Sequence, residues 1–376
     1  MSAGITVVQL LPALETGGLE CGTLEVAEAL VKTGHRAVVI SAGGRLVSRL
    51  EGSGAEHVRL AVGRKSPLTL RYVLHLRRLF RSLDADVVHA QSRLPAWLAW
   101  LAWRGMERRT RPRFVTSIQG LHSVSRYSAS VTLGERVVCV SEAARRYVTD
   151  NYPKTDESRL VVIPRGVDPA HYPYRYQPRS DWLNDWLRQL PALESRHVLT
   201  QAGRLTQRKG FETLVDLVAE LAREGWDVHG LAVGPVADNG RRYLAELQAR
   251  VADLGIKDRF TILGERADLR EIFAVSDLVL ALSSKPEAFG RTVIEALSLG
   301  RPALGWDHGG VGEQLRAVYP PGAVATGDME ALVRRAAQLL SGAPPVPSQH
   351  SYTKQRMLDA ELSLYEMLAD ERRQFD

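Results

Sequence analysis

The sequence predicts an α/β protein made of two doubly wound domains, each a parallel sheet covered by helices on both faces. Short β-rich apolar runs alternate with amphipathic helical patterns from residue 5 to about residue 150, and again from residue 197 to residue 305. Between them, residues 164–195 contain five prolines and three tyrosines, a composition typical of an irregular connector. Because strand–helix alternation produces parallel sheets, the interruption indicates two such sheets.

Each half can be divided into elements in order. The first half has strands at 5–11, 36–41, 86–90, 113–118 and 136–140, with a glycine-containing loop and a helix to about Lys32 after the first. The second half has strands at 197–202, 229–233, 259–263, 277–281 and 303–305, and helices at 210–223, 241–254, 269–275 and 290–299. A final helix follows at 352–373. We therefore expect a Rossmann-like domain at 1–170, a linker at 171–195, a second Rossmann-like domain at 196–345, and a C-terminal helix within 346–376.

The composition limits the class of protein and of partner. The chain has 376 residues, 45% of them hydrophobic, and a formal net charge of +6, which favours anionic partners. Two cysteines exclude a disulfide scaffold and fit a reducing compartment. The N-terminus has no Lys or Arg before its apolar run, and the most apolar stretch, 94–103, has about half the length needed to cross a bilayer. We expect a cytoplasmic protein that touches the inner face of the membrane.

The most informative stretch is SKPEAFGRTVIEALSLG at 284–300. Glu287 and Glu295 are eight positions apart, about 12 Å if both lie on one helix, so they could hold two ends of an extended ligand. The backbone N–H groups at 289–292 would be the unpaired donors of a helix start, which suit a phosphate. The alternative interpretation is that Glu287 is an ordinary acid at a helix start, favoured by the helix dipole, and that Glu295 is a solvated helix residue.

Two further stretches follow strands of the second half, at the sheet edge where such folds bind ligands. QAGRLTQRKG at 201–210 contains Arg204 and Lys209, two cations that could neutralise a diphosphate, although a solvated loop explains them as well. DHGGVGEQL at 307–315 has paired glycines that permit close backbone approach, although a plain turn explains them too.

Together with VVIPRGVD at 161–168 and LPALETGGLECGTLEVAEAL at the N-terminus, these stretches resemble glycosyltransferase family 4, in its lipopolysaccharide and capsule branch. The resemblance implies a GT-B fold, in which two Rossmann-like domains face a cleft and the C-terminal helix crosses back to the N-terminal domain. It also implies retention of configuration, no metal in the site and no cofactor, with a UDP- or GDP-linked sugar as donor substrate. The acceptor it implies is a lipid-linked saccharide.

The resemblance also assigns roles to residues. Arg204 and Lys209 would bind the donor diphosphate, Glu287 the hydroxyls of the donor sugar, and Glu295 those of the ribose. The remaining positions would line the donor or its base: Gly17, Gly18, Arg266, Phe289, Gly290 and Arg291.

One position departs from the family pattern. Many relatives have Thr-x-His-Gly at a strand end facing the sugar, whereas this chain has TSIQG at 116–120 and therefore Gln119 in place of His. Gln can hydrogen-bond a sugar hydroxyl but does not transfer a proton near neutral pH. His122 is the candidate substitute, although a lone His is more often an ordinary surface or core residue. Retention without a base fits a front-face transfer, a mechanism that the resemblance implies.

Aromatic and basic residues in the first half indicate a membrane contact. Trp97, Trp100 and Trp103 recur every third residue before a run of arginines, and RYVLHLRRLFR at 71–81 is also basic. These stretches could lie in an anionic lipid interface, or the tryptophans could belong to the core.

Alternatives of other classes remain. They are a non-catalytic nucleotide-sugar-binding protein at a membrane surface and a sugar-nucleotide epimerase of the same fold. Nucleic-acid binding is not expected, because no nucleic-acid module is recognisable.

Overall fold

The structure is a computed structural model that describes residues 4–15, 17–236 and 240–374. Its contacts divide the chain into two compact units, residues 1–165 with 354–376 and residues 166–353, called unit 1 and unit 2 below. Each described unit is a parallel sheet with flanking helices, which confirms the fold class that the sequence predicts.

Unit 1 contains a sheet of seven described strands in the order β3-β2-β1-β4-β5-β6-β7. Its strands are β1 Thr6–Leu10, β2 Arg36–Ser41, β3 Glu56–Arg59, β4 Val87–Ala90, β5 Arg113–Ile118, β6 Arg136–Cys139 and β7 Leu160–Val162. Its helices are α1 Gly18–Lys32, α2 Val47–Gly52, α3 Tyr72–Ser82, α4 Arg93–Arg104, α5 Glu142–Asn151 and, from the C-terminus, α13 Lys354–Arg373. The strand order reverses between β1 and β4, which is where ligands of open α/β sheets bind.

Unit 2 contains a sheet of six described strands in the order β10-β9-β8-β11-β12-β13. Its strands are β8 His197–Ala202, β9 Val228–Val233, β10 Phe260–Gly264, β11 Leu278–Ala281, β12 Ala303–Trp306 and β13 Ala323–Val324. Its helices are α6 Ser180–Gln189, α7 Phe211–Arg223, α8 Arg241–Asp253, α9 Leu269–Ala274, α10 Arg291–Ser298, α11 Gly309–Val318 and α12 Met329–Gly342. Here the order reverses between β8 and β11.

The C-terminal helix α13 belongs to the core of unit 1, although the chain reaches it from unit 2. Met357, Leu364, Tyr365 and Leu368 are buried in the same apolar cluster as residues of β1 and α1. The helix therefore crosses back, as the fold class implies.

The prediction of an irregular connector at 164–195 is wrong in part, because α6 lies within it. Trp186 of this helix is only 3% exposed and packs in the apolar core of unit 2, stacked on Trp182 with ring centroids 5.2 Å apart. The prolines lie outside the helix and so do not prevent it from forming.

Candidate active site

The three stretches that the sequence singles out in unit 2 lie at the carboxyl ends of neighbouring strands. Residues 203–210 follow β8, residues 282–290 follow β11 and residues 307–309 follow β12. Backbone hydrogen bonds join them: Ser284 N–H donates to Arg208 O at 2.9 Å, and Gly310 N–H donates to Glu287 O at 2.8 Å. The loops therefore form one continuous surface beside the β8/β11 reversal.

Lys209 and Glu287 form the centre of this surface. Lys209 Nζ donates to Glu287 Oε1 at 2.7 Å, and their side chains are 30% and 21% exposed. The buried Ser283 hydroxyl donates to the same carboxylate oxygen. Burial raises the pKa of Glu287, but Lys209, Ser283 and Arg208 together outweigh it, so the pKa is lowered overall. The pair presents an ionised carboxylate and an ammonium group side by side, which suits a ligand with both hydroxyl and phosphate groups.

Two glycines allow these loops to approach one another. Gly210 has a φ of 69°, and a Cβ there would lie 1.9 Å from Leu282 O. A Cβ on Gly310 would lie 2.5 Å from Phe289 Cα and 2.6 Å from Ala288 O. Both positions therefore require glycine, and at Gly310 this is the close approach that the paired glycines at 309–310 predict.

The placement of Glu287 and Glu295 on one helix is wrong. Helix α10 begins at Arg291, after Gly290 in a left-handed conformation with a φ of 89°, so Glu287 lies in the preceding loop. The reason is that Gly290 turns the chain before the helix starts. Glu295 remains on α10, where its carboxylate lies 3.3 Å from Arg291 Nε and is 11% exposed.

Phe289 is part of the packing of the loop. It is 6% exposed and packs edge-to-face on Tyr352, with ring centroids 5.7 Å apart. The Gln314 side chain donates a hydrogen bond to the Phe289 carbonyl. These contacts hold the loop between Glu287 and α10 in one conformation.

Arg204 and Arg266 differ in how firmly they are held. Arg204 is exposed and forms no hydrogen bond or ion pair through its side chain with the described residues. Arg266 instead forms a double ion pair with Asp268, at 2.8 and 2.6 Å, and Asp268 also accepts from Trp182 Nε1 at 2.8 Å. Arg204 is therefore available to an anion, whereas Arg266 would have to share its charge with Asp268.

The candidate residues of unit 1 also lie at strand ends. Gln119 directly follows β5, and its side-chain Nε2 is buried without a hydrogen-bond partner in the described part of the chain. His122 is partly exposed, and its carbonyl accepts a hydrogen bond from the Tyr147 hydroxyl. Gly17 caps α1, which begins at Gly18, so both lie at a helix start after β1. Their predicted roles toward a ligand stay predictions.

Sequence reasoning missed three residues of the unit 2 surface. Ser283 and Arg208 hold the loop of Glu287, the latter through an Arg208 side-chain hydrogen bond of 3.2 Å to Pro286 O. Burial lowers the pKa of His308, although a backbone hydrogen bond to Ser283 and the charge of Glu287 oppose this effect. The sequence signal for each was its position: Ser283 follows β11, Arg208 precedes α7 and His308 follows β12.

Two negative findings concern the described residues. No group of three or more His, Cys, Asp or Glu side chains that could hold a metal ion is found among residues 4–15, 17–236 and 240–374. Within those same ranges, every helix is too short or too polar to cross a bilayer.

Comparison with known families matches nearly the whole chain. The family model described as Glycosyltransferase Family 4 matches residues 16–171, and that described as Glycosyl transferases group 1 matches residues 184–356. These two segments contain all the candidate residues of both units.

Curated relatives share parts of the chain. Mannosylfructose-phosphate synthase of Agrobacterium fabrum is 36% identical over 157 residues, which are 40% of this chain and 33% of that protein. The lipopolysaccharide core biosynthesis mannosyltransferase LpsB of Rhizobium meliloti is 30% identical over 190 residues, 49% of this chain and 51% of that protein. The chain thus spans about a third to a half of the length of the curated relatives it matches.

Solved structures match over the full length. A glycosyltransferase from Rickettsia africae has a TM-score of 0.84 and 25% identity, covering 97% of this chain and 98% of that one. Anabaena HepE, solved with UDP and glucose, has a TM-score of 0.75 and 20% identity, covering 98% of both chains. The likeness to Anabaena HepE shows a shared fold.

Proposed function

Because the chain belongs to glycosyltransferase family 4, we propose that it transfers a sugar from a nucleotide-sugar donor to a hydroxyl group of an acceptor. The observation that carries the proposal is the Lys209–Glu287 pair at the β8/β11 reversal, at 2.7 Å. A carboxylate that accepts from sugar hydroxyls and an ammonium that meets a phosphate stand side by side there. This is the layout of a sugar joined to a diphosphate.

The roles follow from charge and position. Lys209 and the exposed Arg204 would neutralise the diphosphate as the bond to the sugar breaks, and the backbone N–H groups at the start of α10 would add to this. Glu287, held ionised, would orient the sugar through its hydroxyls. Glu295 would accept from the ribose hydroxyls after its ion pair with Arg291 rearranges.

The finer chemistry is part of the same proposal. The reaction retains configuration, needs no divalent metal, and uses a UDP- or GDP-linked donor without a further cofactor. Cations and a helix start supply the positive charge that a metal would otherwise supply. The Gln119 amide hydrogen-bonds a sugar hydroxyl and does not act as a base.

Purified protein tests these statements directly. Thermal shifts with a panel of UDP-, GDP- and ADP-linked sugars identify the donor, because a ligand that binds only the folded state raises the melting temperature. Hydrolysis or transfer of that donor in EDTA tests the metal requirement, and NMR of the anomeric proton tests retention. Lys209→Ala and Glu287→Ala should each reduce turnover by about 100-fold or more.

Lys257→Ala is the matched control, since Lys257 is an exposed lysine of unit 2 with no ion pair among the described residues. It should leave turnover unchanged. Equal activity of Glu287→Ala and the wild type would refute the site. Donor binding without turnover for any acceptor would instead support the alternative of a non-catalytic nucleotide-sugar sensor.

The acceptor we propose is a lipid-linked saccharide, such as a lipopolysaccharide core, met at an anionic membrane. The similarity to the core mannosyltransferase LpsB supports this class of acceptor. Unit 1 also presents a suitable surface. Residues 57–83 contain no Asp or Glu, and exposed Leu68, Leu70 and Leu74 lie there among exposed cations. Apolar side chains flanked by Lys and Arg favour an anionic lipid interface.

Two of the three tryptophans, Trp97 and Trp103, are less available to that surface than their spacing predicts. Trp103 is 8% exposed and its Nε1 donates to Pro112 O at 2.7 Å, while Trp97 Nε1 donates to Tyr127 O at 3.0 Å. These bonds hold both indole groups within unit 1. We therefore propose residues 64–78 as the membrane contact.

Vesicle sedimentation tests this assignment. Leu70→Ser with Leu74→Ser should weaken partition onto vesicles containing phosphatidylserine by about tenfold. Val124→Ser with Met367→Ser changes two other exposed apolar residues of unit 1 and should have little effect. Equal loss in both pairs, or none in either, would contradict the proposed membrane surface.

A further inference from the structure

A cavity of about 370 Å³ lies at the amino-terminal edge of the unit 1 sheet. Asp86 precedes β4, Arg113 begins β5 and Glu135 precedes β6, so this is the edge opposite Gln119. The cavity is lined by five arginines, one proline and one acid, which we call the arginine pocket: Arg108, Arg109, Arg111, Pro112, Arg113, Glu135 and Arg372.

The pocket has fewer negative charges than its arginines require. Glu135 lies 3.4 Å from Arg113 and 4.0 Å from Arg111, so one carboxylate serves two guanidinium groups. Arg372 is paired outside the lining, with Asp84 and Asp86 at 3.0 Å each. Arg108 and Arg109 are exposed and form no hydrogen bond or ion pair through their side chains with the described residues.

The surrounding groups do not reverse this balance. Glu371 lies 3.6 Å from Arg136 and 3.9 Å from Arg113, so its carboxylate is shared between Arg113, which lines the pocket, and Arg136, which does not. Arg373 lies 3.9 Å from Asp86. Arg372 Nε is buried without a hydrogen-bond partner in the part of the chain that the structure describes. Among the described residues, no acid thus lies within ion-pair distance of Arg108 or Arg109.

Arg111 shows what the crowding does to a guanidinium group. Its Cζ lies 3.5 Å from the centroid of Trp103, which it covers. Burial lowers the pKa of Arg111, Glu135 opposes this, and the positive charges of Arg108 and Arg113 lower it further. An anion bound among these groups would relieve their repulsion.

We propose that the arginine pocket binds a phosphate-bearing ligand at a site separate from the nucleotide-sugar site. Guanidinium groups bind phosphate oxygens through two parallel hydrogen bonds, and several can share one phosphate. The volume fits a phosphate with a small organic body. The neighbouring aromatic ring, Trp103, is already covered by Arg111, so the pocket offers charge rather than a stacking surface for a base.

The ligand is a phosphomonoester, either free in solution or as a lipid headgroup. A monoester carries nearly two negative charges near neutral pH, which match the unpaired Arg108 and Arg109 better than one charge would. The pocket lies in unit 1 and at the amino ends of the strands, whereas the unit 2 site lies at carboxyl ends. The proposal therefore does not rest on the proposed function.

Calorimetric titration with glucose 6-phosphate tests the soluble form. The key variant is Arg108→Ala with Arg109→Ala, because neither side chain has a partner whose loss would disturb the described fold. Its affinity for the probe should fall by about tenfold or more. Lys32→Ala with Lys154→Ala, two exposed lysines of unit 1, removes the same charge and should change affinity less than twofold.

The unit 2 site is excluded by a second pair of changes. Arg204→Ala with Lys209→Ala should leave binding of glucose 6-phosphate intact. If that pair abolishes binding and the Arg108/Arg109 pair does not, the probe binds in unit 2 and the pocket proposal is overturned.

Vesicles distinguish the lipid source. Wild-type protein should bind phosphatidic acid vesicles, which carry a phosphomonoester, and the Arg108/Arg109 variant should lose that binding about tenfold while phosphatidylserine binding changes little. If the Arg108/Arg109 variant loses binding to phosphatidic acid vesicles but not to glucose 6-phosphate, the ligand is a lipid headgroup. If it loses binding to glucose 6-phosphate but not to the vesicles, the ligand is a free ester. An unchanged affinity for both probes would overturn the proposal.

Discussion

The ion pair between Lys209 and Glu287 connects the chemistry of unit 2 with its stability. Because the folded-state pKa of Glu287 is lowered, its contribution to stability is present above the ordinary value of 4.5 and is lost as the pH falls through the folded-state value. Glu287→Gln should therefore lower the stability of unit 2 by about 1 kcal/mol at pH 7. The deficit should shrink as the pH falls through the folded-state pKa, where the wild-type carboxylate is itself neutralised. Thermal unfolding at several pH values measures it.

Glu246→Gln provides the comparison, since Glu246 pairs with Arg242 on an exposed helix face with side chains 55% and 91% exposed. Surface pairs of this kind contribute little, so this change should alter stability by less than about 0.5 kcal/mol. A stability difference for Glu287→Gln that does not depend on pH would contradict the role of the carboxylate charge.

Gly310 controls the position of the Glu287 loop. A methyl group there would meet backbone atoms of Ala288 and Phe289 within 2.6 Å, so Gly310→Ala must push the loop away. We expect donor affinity to fall by about tenfold or more, because Glu287 is displaced from Lys209. Isothermal titration with the identified donor measures the change. Gly342→Ala, where a Cβ meets nothing within 4 Å, should leave affinity unchanged.

At the scale of elements, α13 is anchored to unit 1 by a buried polar network. Glu361 accepts from Arg165 at 3.3 Å, with side chains 3% and 7% exposed, and from the Tyr365 hydroxyl at 3.0 Å. The same hydroxyl lies 2.6 Å from His89 Nδ1 on β4. The network thus joins the helix, the sheet and the last residue before unit 2.

Glu361→Ala should destabilise unit 1 by about 3–5 kcal/mol, because it leaves the Arg165 charge buried without its carboxylate. Chemical denaturation followed by the fluorescence of the unit 1 tryptophans measures the loss. Replacing both partners, Arg165→Met with Glu361→Leu, should recover much of it. Glu366→Ala removes an acid that is 48% exposed and paired with His35, and a loss as large as that of Glu361→Ala would refute the network.

The elements also show which parts of the fold the sequence could predict. Buried strands such as β5 and β8 were predicted to the residue, because their apolar runs are bounded by polar residues and turns. The strands β3, β7 and β13 were not predicted. The first is EHVR with exposed or partly exposed side chains, and the other two have three and two residues. Helix α6 was missed because its prolines flank it, and its burial depends on tertiary packing of Trp186.

In the candidate site too, single residues could be selected from the sequence, whereas contacts that depend on tertiary packing could not. Residue type and position after a strand made Lys209 and Glu287 candidates, and only the family resemblance favoured them over a solvated loop and an ordinary helix-start acid. The pairing with Ser283 was not predictable, because it depends on how two loops from different strands meet. Nor was the position of Glu287 predictable: it lies in the loop before α10, because Gly290 takes a left-handed conformation just before the helix begins at Arg291.

At the scale of the whole molecule, the chain passes from unit 1 to unit 2 and returns. Val167 and Thr353 form a parallel bridge within unit 2, with Val167 N–H donating to Tyr352 O at 3.1 Å, so the outgoing and returning segments lie side by side. Unit 1 is therefore discontinuous in sequence, whereas unit 2, with all the residues of its candidate site, is one continuous segment.

This organisation predicts how fragments behave. Residues 166–353 alone should fold cooperatively and bind the donor, because the core of unit 2 and its three site loops lie within them. Residues 1–165 alone should aggregate, because the apolar cluster of β1 and α1 loses the cover of Met357, Leu364 and Leu368. Joining 354–376 to Arg165 through about six glycine and serine residues, which reach up to about 20 Å, should restore a cooperative unit 1.

Circular dichroism during heating and size-exclusion chromatography measure these outcomes. The same joined fragment carrying Leu364→Asp and Leu368→Asp is the control, since its helix cannot enter the apolar cluster and should not rescue folding. Cooperative unfolding of residues 1–165 without α13 would show that the helix is dispensable to the unit 1 core. Because α13 follows unit 2 in the chain, the predicted dependence also means that unit 1 completes its fold only after unit 2 has been made.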